Sequence, residues 1–230
     1  MTSKLNSVIR NPLPEKWANL CRGIACSPLP IFYRPAVDST SSEARRAAER
    51  GAPEGSVFLA DVQTRGRGTR DRPWHSSDPE GLYFSILLRP SWKLSDCLIL
   101  TRLAAASVYE AIGSRLRKEP GLADALRIKP PNDILLRSRK LCGILVESAS
   151  VQENVEFVVM GIGVNANQTD FPEWLASRAT SLRLETGRYF DPAELLVGVI
   201  RRLWSRYNHL RQNGPESLAA DWNDMIRNEA

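Results

Sequence analysis

Histidine is nearly absent from this chain, with only His75 and His209 among 230 residues. Cysteine is sparse: Cys21, Cys26, Cys97 and Cys142, none in a Cys-x-x-Cys pair. A structural zinc site draws on closely spaced cysteines and histidines, so no metal site is expected. Four scattered thiols in a chain of this size read as reduced cysteines, which points to a cytoplasmic protein. No run approaches the roughly 20 apolar residues of a membrane span. The start, Met1-Thr2-Ser3-Lys4-Leu5, has no apolar stretch followed by a small-residue cleavage site, so neither a signal peptide nor membrane contact is expected. Internal repeats and long low-complexity segments are missing too.

What is present is ordinary for a globular protein. Apolar residues make up 43% and charged residues 25%, which excludes disorder over most of the chain. The 31 Lys+Arg against 26 Asp+Glu leave a formal charge of +5. That excess is thin for a nucleic-acid surface, so its location matters more than its size.

The first 34 residues carry Pro12, Pro14, Pro28 and Pro30, and read as an irregular N-terminal arm with a short helical stretch near 15–22. Residues 35–230 read as one compact domain. Within it, 42–50 reads as a helix ended by Gly51, and 56–63 and 82–89 as strands. Residues 95–117 read as a helix with one apolar face. A short strand is expected at 126–129, then a hairpin of 133–136 and 140–147 about a polar turn, then a strand at 155–164. Asp191-Pro192 marks a helix start, N-cap then Pro at N1, and a last helix carries Leu218, Trp222 and Met225. Mixed strands, hairpins and helices make an α+β fold with a largely antiparallel sheet.

Four segments have chemical character. Between Arg65 and Arg72, directly after a strand, lie four arginines, Gly66, Gly68 and one acid, Asp71. Glycine backbone approaches a ligand closely, and guanidinium groups pair with phosphate or carboxylate oxygens. The same composition also suits an exposed arginine loop. Lys129-Pro130-Pro131-Asn132-Asp133 sets a lysine at a strand end, as an anion partner or as an edge-strand guard. Gly161 and Gly163 alternate inside a strand that ends at Asn165, which marks close approach of either a ligand or a packed helix. Asp38-Ser39-Thr40 suits a helix cap at least as well as a ligand site.

In this order and spacing these segments resemble the biotin protein ligases. The resemblance rests on Asp38-Ser39-Thr40, on Gly66-Arg67-Gly68 through Trp74, on Lys129 through Asp133, on Lys140 through Glu147, and on Gly161-Ile162-Gly163-Val164-Asn165. It implies a class II synthetase-like catalytic domain that couples biotin and Mg-ATP to biotinyl-5′-adenylate. The biotinyl group then passes to a lysine of the biotin carboxyl carrier domain of a carboxylase. It further implies that Lys129 and Arg67 are catalytic and contact biotin as well as the nucleotide. Ser39, Thr40, Gln63, Gly66 and Gly143 would complete the biotin site. Gly68, Thr69, Arg70, Trp74, Asn132 and Asn165 would hold the nucleotide, with Trp74 near the adenine and Asn165 on its edge. No permanently bound cofactor and no nucleophilic cysteine are implied, and Cys142 reads as packing.

The chain departs from the family pattern at Thr69, where an arginine is usual, at Asp71, where glycine is usual, and at Pro130, which replaces a tryptophan. A C-terminal small β-barrel and an N-terminal DNA-binding module are not expected, so no DNA partner is either, and a homodimer is left open. Two other classes compete: a lipoate or octanoate ligase or transferase of the same fold, and a non-catalytic ligand- or nucleic-acid-binding protein.

Overall fold

In the computed structural model, residues 14–17, 30–119, 121–218 and Trp222 are described. Seven strands form one sheet in the order β1-β2-β3-β7-β6-β5-β4. The strands are β1 Ile31–Val37, β2 Val57–Gln63, β3 Leu82–Leu88, β4 Leu126–Lys129, β5 Asp133–Leu136, β6 Arg139–Val151 and β7 Asn154–Val164. Only β1 and β2 run parallel; every other neighbouring pair is antiparallel. The three longer helices are α1 Thr40–Glu49, α2 Ile99–Leu116 and α3 Pro192–Asn213. The expected α+β class is therefore what the chain forms.

Register divides the sheet into two faces. Leu82 pairs with Val164, and Val164 with Cys142, so even-numbered residues of β3, β6 and β7 share one side. On that side Phe84, Ile86, Cys142, Ile144, Met160 and Ile162 join α2 and α3 in the main core. Cys142 is buried there, and desolvation pushes its thiol well above the usual range, as expected of a packing residue. The odd-numbered side carries Leu87, Phe157 and Val159 under the Ala44–Ala48 face of α1. Beyond the N-terminus of α1 this side is covered by loops instead of a helix, and there the site lies.

α2 has no single apolar face: Leu103 through Val108 are consecutively buried. Its buried surface is broader than one stripe because it is sandwiched between the sheet and α3, with Arg102 and Arg115 left exposed. The start of α3 follows the sequence, with Asp191 Oδ1 accepting from Ala193 N–H at 2.8 Å and Pro192 at N1. The β5–β6 turn has Arg137 at φ 48° and Ser138 at φ 64°, the positive pair a two-residue hairpin turn requires.

Two expectations change. The arm does not extend to residue 34, because Ile31–Val37 pairs with β2 as an edge strand. Ahead of it, Trp17 is buried in the main core, and Lys16 and Tyr33 both reach Asp61, at 2.6 Å each. Of the expected last helix, Leu218 closes a 3-10 turn and Trp222 is buried, while Met225 lies outside the described residues.

Candidate functional site

The site begins where β2 ends. Gln63 is buried, and its Oε1 accepts from Thr40 N–H at 2.9 Å and Thr40 Oγ1 at 3.2 Å. Its Nε2 donates to Ser76 Oγ at 3.1 Å. Thr40 Oγ1 lies 2.8 Å from Ser85 Oγ, which lies 3.1 Å from Ser41 Oγ. The result is a back wall of buried hydroxyl and amide groups in otherwise apolar surroundings, with Ser39 beside it. Buried polar groups hold together only when paired, so this network fixes the wall's shape.

Asp38 sets α1 in place. Its carboxylate receives both terminal nitrogens of Arg46, at 3.0 and 2.8 Å, and Ser39 N–H at 2.7 Å. The Arg46 hydrogen bonds lead the causes that lower its pKa from 3.8 to about 2. Ser39 itself makes no side-chain cap bond, so Asp38 and not Ser39 carries this helix start.

Glycines form the floor. A Cβ on Gly161 would lie 2.4 Å from Ser41 Oγ, one on Gly163 2.5 Å from Trp74 Nε1, and one on Gly143 2.7 Å from Trp74 Cζ3. Trp74 therefore lies directly on the β6–β7 floor, and its buried Nε1 has no hydrogen-bond partner. Lys140 Nζ stands 5.4 Å from the centre of the ring and pairs with Asp133 at 2.7 Å. Gly66 packs behind Trp74, where a Cβ would meet Trp74 O at 2.5 Å and Ser76 Oγ at 2.6 Å.

The arginine loop folds back on itself, with Arg67 bridged to Pro73 and Gly68 N–H donating to Arg72 O at 2.7 Å. Arg67 lies against the cleft and its Nη2 donates to Glu147 Oε2 at 2.8 Å. Arg70 takes φ 57° at the loop tip and is exposed.

Trp74 separates two spaces. The inner cleft, about 40 Å³, is bounded by Ser39, Thr40, Gln63, Arg67, Asn132 and Gly143, among others. The outer cavity, about 530 Å³, holds Lys129, Lys140, Arg72 and Arg178 with Asp133 as its acid. Gly68, Thr69, Trp74 and Lys140 border both. Lys129 is exposed at the end of edge strand β4 and makes no ion pair among the described residues. Asn132 fastens to β6, Nδ2 donating to Ile144 O at 2.9 Å.

The sequence-derived candidates thus converge, with three exceptions. Arg70 borders neither space, because its left-handed backbone turns the loop at that point. Gly66 borders neither, and serves close packing behind Trp74. Asn165 borders the outer cavity, but Nδ2 donates to Lys140 O at 3.3 Å and Thr180 O at 3.0 Å, tying two chain segments together. Its amide leaves Oδ1, an acceptor, for a ligand.

The biotin/lipoate A/B protein ligase family model matches residues 35–165, more than half of the chain. The chain belongs to this family. It is 36% identical over 194 residues to the bifunctional ligase/repressor BirA of Bacillus subtilis (strain 168), covering 84% of this chain and 58% of that protein. It is 37% identical over 163 residues to the biotin–[acetyl-CoA-carboxylase] ligase of Paracoccus denitrificans, covering 69% and 65%. Among solved structures, the biotin protein ligase of Aquifex aeolicus in complex with biotin and ATP superposes with a TM-score of 0.72 at 30% identity. That match covers 86% of this chain and 78% of the other.

In this biotin/lipoate ligase fold several site residues escaped the sequence reading. Ser85 interrupts the otherwise apolar strand Leu82–Leu88, a signal that was legible. Ser76 and Arg178 lie in loops and Trp174 on the short helix Glu173–Ala176, none with a periodic signal, and only the fold brings Ser76 behind Gln63 and Arg178 and Trp174 to the outer cavity.

Proposed function

We propose that this chain attaches biotin to a lysine of a carboxylase carrier domain, through biotinyl-5′-adenylate. One observation carries the reading: a polar back wall and a cationic cavity lie at opposite ends of one glycine floor. A ureido ring offers two N–H donors and a carbonyl, which suits the Thr40, Ser85 and Gln63 wall. A dithiolane ring has none of these, so lipoate would leave buried polar groups unpaired. Relatives named for biotin ligation, and a relative solved with biotin and ATP, support the same reading.

In the first step the biotin carboxylate attacks the α-phosphorus of ATP, and pyrophosphate leaves. Two anions must approach each other, so fixed cations in a water-poor site lower the barrier. Lys129 and Arg67 supply that charge. Arg72, Lys140 and Arg178 are available to the outgoing pyrophosphate. Asn165 Oδ1 accepts from the adenine amino group, and Trp74 flanks the ring. Magnesium arrives with the triphosphate as part of the substrate. Among the described residues no three His, Cys, Asp or Glu side chains gather as a metal site. In the second step the carrier lysine attacks the acyl carbon and AMP leaves.

The inner cleft is small, about 40 Å³, with Trp74 lying on its glycine floor, so a bicyclic acid enters as Trp74 lifts from the floor. Closure over the adenylate then excludes water from the anhydride. The absent arginine at Thr69 weakens that closure. The deciding assay supplies biotin or lipoate, with Mg-ATP, to a purified carrier domain. Biotinyl transfer is expected, and lipoyl transfer without biotinyl transfer refutes the reading. A Thr69→Arg variant should release the adenylate more slowly, and equal release rates would remove Thr69 from the account.

A further inference from the structure

Glu147 is the residue of the Lys140–Glu147 segment that the reaction above leaves unused. It lies on the odd-numbered face of β6, four residues beyond Gly143, and borders neither the cleft nor the outer cavity. Its carboxylate meets Arg67 across 80 positions of sequence, through one contact of 2.8 Å from Nη2 to Oε2. Arg67 leaves β2 on a loop with two glycines, Gly66 and Gly68, on either side. Without an anchor its long side chain would sample many rotamers. The Glu147 contact uses one donor of the guanidinium, and a fork of five donors keeps the rest for a ligand. The side chains are 39% and 22% exposed, so neither charge is stranded in the interior.

From this geometry we infer that Glu147 is a positioning residue: it holds Arg67 against the cleft so that the remaining guanidinium donors meet the reacting carboxylate and phosphate. The inference rests on the ligase reading and on the role of Arg67 within it. Glu147 touches no reacting atom. Its effect reaches the reaction through the orientation of Arg67, and appears in the chemical step more than in substrate binding.

The test is a kinetic cycle of wild type, Glu147→Gln, Arg67→Ala and the double variant, read by biotin-dependent pyrophosphate exchange with ATP varied up to saturation. Glu147→Gln keeps the shape and removes the charge, and thermal melts check that each variant folds. A fall in kcat of roughly tenfold for Glu147→Gln is expected, with the KM for ATP changed less than twofold. No further fall is expected when Arg67→Ala is already present. Glu147→Asp, which keeps the charge one methylene shorter, should recover part of the loss. Wild-type kcat in Glu147→Gln overturns the inference. So does a loss that multiplies with that of Arg67→Ala, because Glu147 would then act elsewhere. Full activity of Arg67→Ala removes the role of Arg67, and the inference with it, while leaving the ligase reading intact. Absence of exchange in the wild type refutes the ligase reading itself.

Discussion

Replacing Gly163 by alanine tests whether Trp74 is seated on the floor of the cleft. Gly163 does not have a positive φ, so its backbone accepts an alanine without strain. The added Cβ would lie 2.5 Å from Trp74 Nε1, 2.6 Å from Cε2 and 3.0 Å from Cζ2. Ordinary contact between such atoms is about 3.5–4.0 Å, so the ring must retreat by about 1 Å. Overpacking of this kind costs about 1–3 kcal/mol. The stiffer unfolded chain returns about 0.4–1 kcal/mol. In a Trp74→Ala background the obstacle is gone, and Gly163→Ala should become neutral or mildly stabilising. Urea unfolding of the four proteins measures the coupling, expected at about 1–3 kcal/mol by the same bound. Gly163→Ala should also weaken biotin binding, because its methyl group narrows the inner cleft. Effects of the two substitutions that add to within about 0.5 kcal/mol would show that Trp74 does not rest on Gly163, and would undo the two-space description of the site.

Other outcomes follow from the same geometry. Lys129→Ala should melt like the wild type, since Lys129 is exposed and makes no ion pair among the described residues, yet lose about 10²-fold or more in adenylation. Unchanged exchange would remove it from the catalytic step. Asn165→Ala should cost about 1–3 kcal/mol in urea unfolding, because the buried Thr180 carbonyl loses its amide donor, and should raise the KM for ATP. A neutral result in both would show that the tie between the two segments carries no weight. The folded pKa of Asp38 is held at about 2 against 3.8, so its contribution is present above about pH 4 and is lost as pH falls toward 2. Asp38→Asn should destabilise at neutral pH and flatten the acid limb of a stability–pH curve. A wild-type slope in that variant would place the acid sensitivity elsewhere.

Sequence legibility tracked how local each signal was. The β5–β6 hairpin was readable because a two-residue turn fixes its own register, and the start of α3 because Asp191-Pro192 is a self-contained cap. β1 has no strand signature in the sequence because Pro30 precedes it and Pro35 interrupts it. An edge strand tolerates proline, and the register passes from Arg34↔Ala60 to Ala36↔Val62 across Pro35. The apolar face expected of α2 is buried but wider than its spacing predicts, because the added burial depends on α3, almost a hundred residues later. In the site, the glycines, Lys129 and Trp74 were found through motif spacing. Asn165 was identified, but its ties to Lys140 and Thr180 were not, because each joins segments that meet only after folding. Arg178 and Trp174 had no local signature at all.

The even–odd register of β3, β6 and β7 has a consequence for how this domain changes over time. Substitutions at positions 143, 145, 161 and 163 alter the candidate cleft and spare the packing beneath α2 and α3, whose contacts come from 142, 144, 160 and 162. A single-residue insertion within either strand would exchange the two sets, setting isoleucines in the cleft and glycines in the core. New substrate preferences are therefore reachable by point substitution, whereas length changes are confined to the loops, and the strands that carry the motifs are held to a fixed count.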